Sequence, residues 1–157
     1  MKTELWMIGK TAFPYLREGM ALYQKRLRHY LPFEVVTLPD LKKTKNLAPE
    51  QFREKEGELV LSKLKNEDFL LLLDERGRQF SSVDFARFFD QKQQLSHKRI
   101  VFLIGGAYGF SDAVYKRANF KWSLSKLTFS HQMIRLFVLE QLYRAMTILR
   151  GEPYHNE

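Results

Sequence analysis

The chain has 157 residues, 45% hydrophobic and 28% charged, which suits one globular domain with a true core and excludes disordered or collagen-like classes. Lys and Arg number 26 against 18 Asp and Glu, a formal charge of +8, so the surface carries a positive field that favours an anionic partner. The absence of cysteine excludes disulfides, thiolate metal sites and a Cys nucleophile, and fits a reducing, cytoplasmic address.

In chain order, residues 5–8 are a short apolar run, and residues 15–31 place Leu16, Met20, Tyr23, Leu27 and Tyr30 at helical spacing. Residues 33–38 read as a second strand, followed by a solvated basic loop at residues 41–46. Pro49 suits the first turn of a helix reaching residue 65. Residues 69–73 form an unbroken apolar run that predicts a buried strand ending in a turn at Asp74-Glu75-Arg76-Gly77. Ser81 or Ser82 caps a helix to about Leu95, and residues 100–104 make another buried strand, stopped by Gly105-Gly106. Ser111 caps a short helix, a brief strand follows at residues 122–124, and Ser130 opens the last helix, which Gly151 ends.

This alternation predicts a single α/β domain over residues 1–157, with a mostly parallel sheet and helices on both faces. No window approaches the roughly 18 apolar residues of a membrane span, so no membrane partner is expected. Ligands of such sheets sit beyond the carboxyl ends of the strands. Residues 73–77, 105–109 and 123–130 occupy that place.

The GGAYG segment at 105–109 lacks the Gly-Lys-Ser/Thr of a phosphate loop, and no Asp or Glu lies between Asp112 and Glu140 to hold a ribose. It reads either as a tight turn or as bare main chain against a flat ligand. Asp74 and Glu75 likewise read either as a solvated turn or as an acid/base pair. The four histidines, His29, His97, His131 and His155, are far apart in sequence, so no metal is expected. Residues 25–29, 42–45 and 97–99 are basic and, with the net charge, suit nucleic-acid phosphates.

The last helix is apolar around most of its circumference, including Met133, Phe137 and Leu142. It packs either against a second copy of the chain or within the monomer. Glu140, Arg144 and Thr147 share a narrow polar stripe, so a buried Arg144 needs Glu140 or a ligand as partner. The short polar tail offers Tyr154 and His155 for stacking on a base.

These segments together carry a resemblance. With LLLDERG at 71–77, FLIGGAYGF at 102–110, SLSKLTFSHQMIR at 123–135, LEQLYRA at 139–145 and the terminal GEPYHNE, the whole chain resembles the ribosomal large-subunit pseudouridine N3-methyltransferase family (RlmH type) of the SPOUT class. The resemblance implies S-adenosyl-L-methionine as methyl donor, a carboxyl-terminal trefoil knot forming its pocket, a homodimer with the active site between subunits, and large-subunit ribosomal RNA or the ribosome as substrate. Carried over by motif, cofactor contacts fall on Leu73, Gly105, Ser125, Lys126, Leu127, Thr128, Phe129 and Ser130, and target-base contacts on Arg144, Tyr154 and His155. Asn156 stands where relatives often carry a basic residue. Chemically, the sulfonium methyl is already activated, so no covalent nucleophile is needed; Arg144 would favour the N3 anion, Tyr154 would position the base and His155 could accept the proton. Two other classes compete. A non-catalytic RNA-binding module leaves the strand-end loops without a ligand, and a nucleotide-binding regulatory or oxidoreductase domain lacks its acidic ribose partner.

Overall fold

The computed structural model describes residues 1–41 and 47–156. The basic loop expected at 41–46 therefore lies, beyond Leu41, outside the described residues. Five strands, β1 (Lys2–Ile8), β2 (Phe33–Leu38), β3 (Asp68–Arg78), β4 (Arg99–Ile104) and β5 (Phe120–Trp122), form one parallel sheet in the order β2-β1-β4-β3-β5. The connecting helices are α1 (Pro14–Arg28), α2 (Pro49–Lys63), α3 (Ser82–Gln93), α4 (Asp112–Arg117) and α5 (Met133–Leu149).

The central strands β1 and β4 and the first part of β3 are buried on both faces because the pleat splits their apolar residues alternately. On β4, Ile100, Phe102 and Ile104 join a core with residues of α1, α3 and α5, whereas Val101 and Leu103 join a second core with residues of α2 and α4. Burying each such side chain contributes roughly 1.5–3 kcal/mol. Crossovers towards the β2 edge run over the α1/α3 face and those towards the β5 edge over the α2/α4 face, as one uniform handedness requires.

Three boundaries differ from expectation. The residues Asp74-Glu75-Arg76-Gly77, expected as a turn, continue β3 to Arg78, which pairs with Trp122 across an irregularity in register. Glycine makes this possible: a Cβ on Gly77 would stand 2.6 Å from the Lys121 backbone. The last strand is residues 120–122 rather than 122–124, because Phe120 joins the ring cluster of Phe80 and Phe88. The last helix starts at Met133, yet Ser130 does serve its entrance, its Oγ accepting from Met133 N–H at 3.1 Å.

Helix α5 packs on α1 and α3. Gly19 of α1 lets the helices close, since a Cβ there would lie 3.0 Å from the Leu136 side chain. Val138, Leu139, Leu142 and Ala145 are buried within the chain, so intramolecular packing accounts for much of the apolar circumference, Leu142 included. Met133 and Phe137 remain exposed.

Candidate functional site

A cleft of about 1180 Å³ opens at the carboxyl ends of β3, β4 and β5. Leu73, Ile104, Trp122, Leu124 and Ile134 give it apolar walls, and the glycine loop and residues 125–130 form its rim. Of the eight residues expected to contact a cofactor, Leu73, Gly105, Ser125, Leu127, Thr128, Phe129 and Ser130 line this cleft, while Lys126 is not among its lining residues.

The GGAYG segment is both turn and wall. Gly109 takes a positive φ of 80° and donates its N–H to Gly106 O at 3.2 Å, the closure of a tight turn. Gly105 and Gly106 need no positive φ; there the issue is space. A Cβ on Gly105 would meet the Phe110 ring at 3.0 Å, and one on Gly106 would meet the Glu56 carboxylate at 2.8 Å. The adjoining Tyr108 is half exposed, its ring edge-on to Phe52.

Neither acid at the end of β3 is a free catalytic group. Asp74 has a nearly buried carboxylate, which accepts from Arg76 N–H at 3.0 Å and from the Tyr115 hydroxyl at 2.7 Å. Burial first, and then this bond to Asp74, raise the pKa of Tyr115. Glu75 accepts from Thr128 Oγ1 at 3.0 Å, tying β3 to the rim. The rim is further fixed by Ser125, whose carbonyl accepts from Ser123 Oγ at 2.8 Å and whose Oγ accepts from Leu127 N–H at 3.0 Å.

Arg144, Tyr154 and His155 assemble elsewhere. None lines the cleft; Arg144 is ten residues along α5 from Ile134, about 15 Å at 1.5 Å per residue. There the tail folds back on α1 and α5. Arg144 pairs with Glu140 and stacks over the Tyr154 ring at 4.7 Å. The same Glu140 accepts from the Tyr154 hydroxyl at 2.9 Å. With that proton committed, the Tyr23 hydroxyl is the donor in its 3.3 Å contact with Tyr154. Burial first, and the bond to the Glu140 carboxylate with it, raise the Tyr154 pKa, so Tyr154 acts as a hydrogen-bonding phenol rather than a phenolate. Arg144 Nη1 lies 3.0 Å from His155 Nδ1; since a guanidinium only donates, Nδ1 accepts and the ring proton sits on Nε2.

Sequence reasoning missed Tyr23, Asp40, Glu56 and Arg135. Glu56 hides in a run of charges, REKEGE, at 53–58. The one available signal is Gly57: glycine inside a helix marks close approach, here to Ser111 and Val114. Arg135 is fully buried, donating to Gly9 O at 3.0 Å, Ile8 O at 2.8 Å and Thr11 Oγ1 at 3.0 Å.

Of the basic segments, Arg99 is spent on Asp68 and Glu4, whereas Lys25 and Arg28 are exposed and Arg26 lies over the Tyr23 and Tyr143 rings. Residues 42–45 lie outside the described residues. Among the described residues, no His, Asp and Glu group is placed to hold a metal ion, and no helix is long and apolar enough to cross a membrane.

A family model described as predicted SPOUT methyltransferase matches residues 1–155. The chain belongs to the SPOUT methyltransferase family. Members similar to it over their whole length include proteins named ribosomal RNA large subunit methyltransferase H: 55% identical in Parabacteroides distasonis, covering 100% of both chains, and 54% in Cytophaga hutchinsonii, covering 99% of this chain and 100% of the relative. A third, in Christiangramia forsetii, is 55% identical over 99% of each. Membership of the family agrees with the resemblance carried by the strand-end motifs and with the parallel α/β fold.

Proposed function

We propose that this chain is an S-adenosyl-L-methionine-dependent methyltransferase of large-subunit ribosomal RNA, acting on N3 of a pseudouridine as a cytoplasmic homodimer. In this reading the carboxyl-terminal part of the chain forms the family's trefoil knot. The observation that carries the reading is the cleft, whose lining coincides with seven of the eight positions that the family motifs assign to the donor, in a chain 55% identical end to end to a protein named for that class of RNA substrate.

The residues present suit such a donor. Apolar walls at Leu73, Ile104, Trp122 and Leu124 fit an adenine ring, and the cleft is wide enough where Gly105 and Gly106 present main chain. When bound, the donor supplies an activated methyl on a sulfonium. The chain's own work is orientation, exclusion of water and charge placement. Arg144, held by Glu140 and stacked on Tyr154, favours an anionic base ring close to it. Tyr154 positions that ring. His155, whose Nδ1 faces Arg144, could accept the N3 proton once that contact is exchanged.

The separation of cleft and cluster supports the dimer. One chain does not bring Arg144 to its own cleft, whereas a second copy packed over exposed Phe129, Met133 and Phe137 could present its cluster there. Lys25 and Arg28, beside Tyr23, would then flank the RNA.

Calorimetry with S-adenosylhomocysteine, NAD and ATP tests the class: the reading expects binding of the first alone. Methyl transfer to large subunits, whole ribosomes and naked RNA then tests the substrate. Activity on particles that falls steeply with salt is expected, and equal activity on naked RNA would contradict recognition of ribosomal shape.

A further inference from the structure

Glu56 of α2 is 4% exposed, and its Oε1 has no hydrogen-bond partner among the described residues. Its carboxylate lies directly behind the glycine loop, where a Cβ on Gly106 would stand 2.8 Å from Oε2 and 2.9 Å from Oε1. Gly106 is itself part of the cleft wall, so a single thickness of main chain separates the acid from the cleft. It is held there: the neighbouring Gly57 is packed on Ser111 and Val114.

The charges around it do not neutralise it. Asp40, just beyond β2, faces it with like charge. On α5, Arg135 feels Asp40 but spends its Nη atoms on Gly9, Ile8 and Thr11. On α2 itself, Arg53 is directed to the Tyr108 carbonyl. No cation acts on Glu56 among the described residues; burial and, after it, Asp40 push its pKa up to about 7.

We propose that Glu56 is a specificity-determining charge of the cleft, partly protonated at neutral pH without ligand and fully ionised when a sulfonium cation occupies the cleft, so that the site favours the methyl donor over its uncharged thioether product. The inference rests on the reading of the cleft as a methyl-donor site. Its physics is reciprocal: a cation that drives the carboxyl to ionise is itself held more tightly by the same factor. The proton balance is simple. The Glu56 O–H bond breaks, its electron pair stays on the carboxylate, and the proton passes to the buffer.

The test is calorimetry at pH 7 in buffers of different ionisation enthalpy, with S-adenosylmethionine and S-adenosylhomocysteine on wild type, Glu56→Gln and Asp40→Asn. The difference between wild type and Glu56→Gln removes any titration of the ligands themselves. Wild type is expected to release about half a proton more than Glu56→Gln on binding the sulfonium, and no more on binding the thioether. Glu56→Gln should narrow the preference for the sulfonium by roughly fivefold. Asp40→Asn, which removes the like charge and lets Glu56 ionise earlier, should reduce the release. Melting of both proteins checks the group itself. A carboxyl whose folded pKa lies above its unfolded value loses stability as pH rises through 7, so the gain in melting temperature from Gln should be larger at pH 8 than at pH 5. Equal proton release by wild type and Glu56→Gln would overturn the inference alone, whereas failure of both ligands to bind wild type would overturn the donor reading beneath it.

Discussion

The strand-end cleft and the α1–α5–tail cluster treat polar groups in opposite ways. The cleft is an open hollow whose lining mixes apolar residues such as Leu73 and Trp122 with charged ones such as Glu54 and Arg76, and its side-chain bonds, Glu75 to Thr128 and Ser125 to Leu127, stiffen its rim. The cluster is closed on itself, with Glu140 taking bonds from Arg144, Tyr154 and Gln141. A stiff hollow binds without rearrangement, whereas a saturated network has to exchange a bond before it holds a new partner. In the proposed function the small ligand belongs to the first and the base to the second.

The largest expected effect comes from breaking the packing that separates the two regions. Leu142→Glu puts a charge into the core, where Leu142 is 1% exposed, and should abolish soluble folded protein, as judged by circular dichroism. Phe137→Glu, on the same helix but exposed, should keep its melting temperature within a few degrees and shift light-scattering mass from dimer to monomer. A monomeric wild type at micromolar concentration would contradict the dimer.

Gly77→Ala comes next. Its Cβ would collide with the Lys121 and Trp122 backbone, which cannot yield as a side chain would, so a loss of about 3 kcal/mol in chemical denaturation is expected. The cleft should weaken with it, since β3 and β5 both line it.

Glu140→Gln sharpens the comparison. It removes the charge that orients Arg144 and leaves the cleft untouched, so turnover should fall on the order of tenfold to a hundredfold with S-adenosylhomocysteine affinity unchanged. Stability should drop by only about 1 kcal/mol, because the pair is partly solvent-screened. A parallel loss of affinity would merge the two regions into one.

Much of this was legible in the sequence. Residues 69–73 and 100–104 were readable as strands because they are apolar runs, the latter stopped by Gly105-Gly106, and the cleft segments because ligands of parallel sheets collect at strand ends. Asp74 to Gly77 misled because polar residues at a strand end read as a turn; what keeps them extended is the close approach of Gly77 to Lys121 of β5, 44 residues away in sequence. The docking of the tail was not legible. The tail is short and polar, yet Tyr154 docks edge-on to Tyr143 at 4.7 Å and Tyr30 donates to Glu152, contacts with partners more than a hundred residues away in the second case. Arg135 was invisible, and Glu56 signalled only by the helical Gly57 beside it, because a buried charge is spelled like an exposed one.

The most direct measurement is activity of mixed dimers. Gly105→Val, whose larger side chain crowds Phe110 and the cleft, is combined in equal amounts with a chain lacking residues 154–157, after each is assayed alone and is expected to have lost activity. If one chain's cleft works with the other's tail cluster, half of the randomly assembled dimers hold one intact site of two, and methyl transfer should return to about a quarter of wild type. No recovery in a preparation proved to contain mixed dimers would contradict the shared site.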